Sequence, residues 1–388
     1  MTMFKFSKNP IYIPKVQDNN IREWNLKLPA LFVNAVTLVW RPSVLSIKQN
    51  TDVFIVDPVT DRILYPEARK KKNFKKLKYP EVEPEEIYSN ALVRRDLIEK
   101  SIKHQIDANA SIVIAPYFFA EDTDDTKFSV NLTLLSETIK YLNEIDEQRP
   151  LFAMICIGNS VFARPIVLNN IIDRYNDILL KHIDGFFLSV NEFSGKNITD
   201  INKLIGLAHF VFRLSEYKSV IIKRIDAFGD ILCTIGAAGY SSGLAISESY
   251  SAKDHEDFPR KAFKRIYAPE IFDYLNETEA KKVGYKCHSK TSGNVEDHHT
   301  KIKHYLFHRI DRIDKMQSLT RDQRIDYMLK EVKKAKKLAS EWSDKFGIPP
   351  KFLHASRWET VIERSKYWKP SKQNDDELKK LIKELEND

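Results

Sequence analysis

Asp57 closes the apolar run Asp52-Val-Phe-Ile-Val-Asp57 just before Pro58, which sets a carboxylate at the end of a strand. A carboxylate held there can give or take a proton on a bound ligand. An Asp-Pro turn can equally use the side-chain oxygen to cap the next segment. Asn191 and Glu192 follow Ile183-Asp-Gly-Phe-Phe-Leu-Ser-Val190, and Arg224 and Asp226 follow Val220-Ile-Ile. Four polar groups at strand ends can hold a polar ligand by hydrogen bonds, although Asp226 can instead be the N-cap of the next helix. Ser241, Ser242 and Gly243 suit a phosphate, since late barrel strands often deliver one to a helix N-terminus. Asp57, Glu192, Arg224 and Asp226 with that loop would serve a hydrolase or lyase for a small phosphorylated metabolite.

These groups need a frame that gathers strand ends, and the chain supplies one. Short apolar strands alternate with helical stretches: 31–40, 52–57, 111–116, 151–157, 183–190, 220–224 and 240–246, with 265–268 as the eighth. Parallel strands need long crossovers, and eight β-α units close a barrel. The expectation is a parallel α/β barrel of the (β/α)8 TIM type over 31–280, with a basic insertion at 66–82. Residues 1–30 read as an irregular lead-in, with prolines at 10, 14 and 29. Residues 281–388 read as a Cys/His-containing loop and a helical C-terminal extension.

The chain has 388 residues, 43% hydrophobic, with 11 glycines and 16 prolines, which argues against a disordered or low-complexity protein. Three cysteines far apart in sequence suit a reducing compartment without disulfides. No run approaches the ~18 apolar residues of a membrane span, and the N-terminus lacks a signal-peptide pattern, so the expected location is cytoplasmic. The formal charge of +8 permits a polyanion partner. Arg69, Lys70, Lys71, Lys72, Lys75, Lys76 and Lys78 form a basic run suited to phosphate-backbone contact or to a solvated insertion. Phe74 and Tyr79 are interleaved there and can stack on bases. Lys333, Lys334, Lys336 and Lys337 make a second cluster on a C-terminal helix. The C-terminal helices also leave open a homodimer or a protein partner, which would show as an exposed apolar stripe on 319–367.

From Ser111 to Tyr250 the order of segments resembles the tRNA-guanine transglycosylase family and its DNA-modifying relatives. Three stretches carry the resemblance: Phe152-Ala-Met-Ile-Cys-Ile-Gly-Asn-Ser-Val-Phe162, Ile183-Asp-Gly-Phe-Phe-Leu-Ser-Val-Asn-Glu192, and Val220-Ile-Ile-Lys-Arg-Ile-Asp-Ala-Phe-Gly-Asp-Ile231 with Ala237-Ala-Gly-Tyr-Ser-Ser242. The resemblance implies a barrel that binds tRNA or DNA and recognises or exchanges a purine or deazapurine base. Asn159 and Asn191 would then read the base edge, and Asp57 would be the acid/base. The family's catalytic aspartate is missing from Gly239-Tyr-Ser-Ser-Gly-Leu244, which leaves Glu248 as the stand-in nucleophile or the protein catalytically silent. The family's zinc-binding cysteines are reduced to Cys287, with Ser289 and Ser292 in the other places. No cofactor is expected, zinc being the one that the resemblance raises. Its remaining candidate ligands are Cys287 and the pair His304 and His308, which lie at i, i+4 on one helix face.

Overall fold

The computed structural model describes residues 9–16, 27–175, 177–243, 248–252, 265–286, 298–349 and 354–370. Eight parallel strands run β1 (Ile11–Lys15), β2 (Leu28–Asn34), β3 (Thr51–Asp57), β4 (Val113–Ile114), β5 (Leu151–Gly158), β6 (Gly185–Asn191), β7 (Ser219–Ile222) and β8 (Gly239–Gly243). Their spatial order is β3-β2-β1-β8-β7-β6-β5-β4. The ring closes at β3 and β4, where Ser111 N donates to Phe54 O (2.8 Å) and Phe54 N to Ser111 Oγ (2.9 Å). The expected (β/α)8 barrel is therefore the fold.

Both faces of each strand are covered, as parallel strands require, so β5 is buried at all eight positions. One face points inward: Ile13, Phe32, Ile55, Ile114, Met154, Phe187 and Ile221 fill the barrel interior. The other face packs on the surrounding helices α1 (Ala91–Asp107), α2 (Thr126–Glu144), α3 (Pro165–Arg174), α4 (Ile201–Tyr217), α5 (Phe228–Ile235) and α6 (His298–Gln317). Polar caps set where these helices begin. Asn90, Asp125 and Asp200 each accept a backbone N–H from the first turn of α1, α2 and α4. Helix α7 (Arg321–Phe346) starts with a Thr320/Gln323 capping box and stops at Gly347, whose φ of 56° suits glycine. It packs with α8 (Ala355–Ser365) onto the barrel's own helices.

Strand membership differs from the sequence reading at three places. The first strand, β1, lies inside the stretch read as lead-in. Pro14 disguised it, yet the missing N–H points toward β2, where Lys15–Phe32 is the only registered pair, while β8 pairs along the whole strand. The stretch 31–40 divides into the end of β2 and a helix, Ala35–Trp40, because an unbroken apolar run fits either state. Residues 265–268 form β9 (Arg265–Ala268), which pairs antiparallel with β10 (Asp273–Asn276) in a hairpin outside the barrel.

Candidate functional site

Strand ends that carry an inward side chain meet at the C-terminal mouth of the barrel. Asp57 is there and is fully buried. Its Oδ2 lies 2.7 Å from Lys223 Nζ, and its Oδ1 accepts hydrogen bonds from Tyr117 Oη (2.8 Å) and from Val59 N (3.0 Å). The capping reading of Asp57 holds, since Val59 N donates to its Oδ1, and the carboxylate also faces the interior. Lys223 Nζ donates to Tyr117 Oη at 2.6 Å, which closes a three-membered set. Burial, with Asp57 and Asp61 close by, pushes the Tyr117 phenol well above its ordinary range, so it stays a proton donor.

Cations surround these groups. Lys15 ends β1 in phase with the inward Ile13, and is 8% exposed. Among the described residues no hydrogen bond or ion pair reaches its amine. Burial first, then Arg224, Lys223 and Arg62, hold Lys15 well below the usual lysine range, with Asp57 pulling the other way. Arg224 lies behind β7 in a left-handed conformation (φ 59°), its N–H on Ser241 Oγ, with its guanidinium 5.9 Å from the Tyr250 ring centre. Tyr250 enters the mouth from the segment 248–252 and donates to Asp61 Oδ2 at 2.9 Å. Asn191 holds that segment in place, since its Oδ1 accepts Ala252 N (2.8 Å) while Glu192 N donates to Tyr250 O (2.8 Å). Asn34 Oδ1 and Ser189 Oγ, both buried on inward positions, have no hydrogen-bond partner among the described residues.

Other candidates lie beside the mouth. Asn159 donates to Asn191 O (3.0 Å) and accepts from Lys203 Nζ (2.7 Å). Asp226 accepts Phe228 N at the start of α5, together with Ser194 Oγ and Lys196 N, so it caps one loop and clamps another. Gly243 is level with Lys15 across the β1–β8 ladder. Ser242 points out of the barrel instead, because side chains alternate along β8. Its hydroxyl bonds Tyr12 Oη and Tyr305 Oη, each at 2.7 Å, which removes it from a phosphate loop at the mouth.

Glu248 belongs to a separate ionic network on that outer face. It accepts from Arg309 (2.9 Å) and Tyr305 (3.0 Å) and lies 3.7 Å from Lys196. Burial alone would raise its carboxyl, but Lys196 and Arg309 outweigh burial and keep it below the usual range. Behind it, Arg309 and Arg312 share the fully buried Asp230 at 3.3 and 3.1 Å. A carboxylate engaged by two cations is a poor nucleophile.

The basic run lies on the flank. Leu77 O meets His104 Nε2 near the C-terminal end of α1, and Tyr79 Oη donates to Pro58 O. Phe74 and Tyr79 are buried with ring centres 5.8 Å apart, so neither is available for stacking on a base. Arg69 pairs with Glu83 and Lys70 with Glu67. Lys71, Lys72, Lys75, Lys76 and Lys78 are exposed, and part of the run borders a cavity of about 480 Å³. The C-terminal lysines face acids: Lys333 and Lys336 meet Glu359, Lys334 meets Glu331 and Lys337 meets Glu341. On 319–367 the only large apolar side chain left exposed among the described residues is Tyr367.

Cys287 lies outside the described residues. His304 and His308 do share one face of α6, with ring centres 4.5 Å apart, but His304 Nε2 is bonded to Tyr267 O (2.8 Å). Sequence reasoning missed Lys15, Asp61, Tyr117, Lys223 and Tyr250. The signal for Lys15 and Lys223 was present, because each ends an apolar strand as Asp57 does and is in phase with the inward residues of its strand.

Fold and site together define a (β/α)8 barrel with a buried, charge-rich mouth. Among known proteins, no family model matches the chain and no curated protein matches it.

Proposed function

We propose that the chain is a barrel enzyme, a lyase or hydrolase, that binds a phosphate-bearing substrate at its mouth and moves a proton on it. The observation that supports this most is the gathering of Lys15, Arg62, Lys223 and Arg224 around the carboxylates Asp57 and Asp61. Cations assembled in a desolvated site are stabilised by a bound anion, and they favour charge that develops on it. Arg224, with its planar fork, is the natural phosphate ligand. Asp57 is the proton acceptor, Tyr117 the donor, and Lys223 keeps the carboxylate oriented and its charge balanced.

Thermal stability with added inorganic pyrophosphate, and with sugar phosphates against their dephosphorylated forms, tests this. The expected result is a rise in Tm with the phosphate-bearing compounds only, lost in Arg224→Gln. Equal shifts with and without phosphate would overturn the reading.

A second reading, exchange or recognition of a nucleobase in tRNA or DNA, draws on the resemblance to transglycosylases and on the five exposed lysines of 71–78. It predicts salt-sensitive polynucleotide binding and labelled-base exchange that Asp57→Ala abolishes.

A further inference from the structure

The mouth holds two buried lysines in opposite settings. Lys223 has a carboxylate at 2.7 Å and a phenol at 2.6 Å, so it is a paired cation. Lys15 is more than nine-tenths buried, without a partner among the described residues, and its charged neighbours are mainly other cations. A permanently charged lysine in that position would be costly. The neighbouring strand sets no large side chain beside it, because the inward positions of β8 are Gly239, Ser241 and Gly243, and Gly243 is directly level with Lys15. Asn34 Oδ1, buried and without a hydrogen-bond partner among the described residues, also lines the interior.

A buried amine without a partner among the described residues, a glycine level with it and cations around it match the needs of a nucleophilic lysine. Desolvation and neighbouring positive charge keep such an amine neutral. We infer that Lys15 condenses with an aldehyde or ketone carbonyl of the substrate to form an imine. This rests on the phosphate reading above for the second half of the substrate, which makes the class a phosphorylated aldehyde or ketone. In the step, the Nζ lone pair attacks the carbonyl carbon and the carbonyl π pair moves to oxygen. The carbinolamine then loses that oxygen as water, which takes up both amine protons, and the C=N bond remains. No oxidant or reductant enters. Tyr117 and Lys223 carry the protons that the departing oxygen needs, and Asp57 receives one in return.

The test is reductive trapping. The full chain is incubated near pH 7 with glyceraldehyde 3-phosphate and sodium cyanoborohydride, and modified peptides are mapped by mass. An ordinary lysine at pH 7 is almost wholly protonated, so Lys15 is expected to be modified more than about tenfold faster than surface lysines. That adduct is absent from Lys15→Met, which keeps most of the side-chain bulk and removes the amine. Modification of Lys15 no faster than the surface set, in the wild-type protein, would overturn the inference without relying on any variant. Glyceraldehyde lacking phosphate separates the two ideas. Equal trapping at Lys15 by both probes leaves the amine standing and removes the phosphate reading. A pyrophosphate-dependent Tm rise that Arg224→Gln abolishes, with no trapping, does the reverse.

Discussion

The buried pair of Asp57 and Lys223 shows what a single residue contributes at this mouth. Removing two charges from water costs several kcal/mol each, and their contact, the Tyr117 and Val59 hydrogen bonds and the aromatic rings around Lys223 offset that cost. Lys223→Met alone strands a buried carboxylate and should cost about 3–5 kcal/mol in urea denaturation. Asp57→Asn combined with Lys223→Met should recover most of that loss, since two neutral side chains leave no bare charge. A double variant as unstable as the single one would show that packing, not charge, is what Lys223 supplies. Asp57 was legible in the sequence because it ends an unmistakable strand. Lys223 was passed over for Arg224 and Asp226, although parity alone separates them: Lys223 is in phase with the inward Ile221, two residues before it. Tyr117 and Tyr250 carried no such signal, since each reaches the mouth from a loop whose path depends on the rest of the fold.

At the scale of elements, close approach between helix and barrel fixes where the mouth loops stand. Gly206, in the middle of α4, lies against the turn that follows β5, and a Cβ there would collide with the Phe162 carbonyl oxygen. Alanine is the better helix former by about 1 kcal/mol, so helix propensity alone predicts that Gly206→Ala stabilises. The collision is with backbone and cannot be relieved by a rotamer change, so the expected outcome is the opposite sign, a lower Tm. A higher Tm would mean that α4 shifts freely against the turn carrying Asn159. Helix α8 acts similarly from the other side: Trp358, fully buried, donates its indole N–H to Gly195 O (2.9 Å) and holds the loop after β6. The helices themselves were readable from caps and apolar period. The eight strands were readable in number and order of alternation but not in membership, because Pro14 masked β1 and the hairpin at 265–276 imitates a barrel strand until its antiparallel partner is known.

For the whole molecule, the formal charge of +8 is spread unevenly, and that decides which reading of the basic surface survives. The C-terminal lysines sit opposite glutamates, Arg69 and Lys70 are paired, and Phe74 and Tyr79 are spent on packing. Lys71, Lys72, Lys75, Lys76 and Lys78 are exposed on one flank. If that flank grips a polynucleotide backbone, each lysine on a phosphate releases a counterion, and log K should fall with log salt by about 0.7–0.9 per contact. Changing all five lysines to glutamine should then flatten the slope by several such increments. Fold and mouth should be unaffected, because none of the five is buried. The same substitution leaves the trapping of a phosphorylated carbonyl at Lys15 unchanged if the substrate is a free metabolite, since the flank lies outside the barrel. Measured together by fluorescence anisotropy across a salt series and by mass-mapped trapping, the two readouts assign the surface charge and the buried charge independently. A flat salt slope in the wild-type protein removes the polynucleotide partner and leaves the chemistry to the barrel mouth alone.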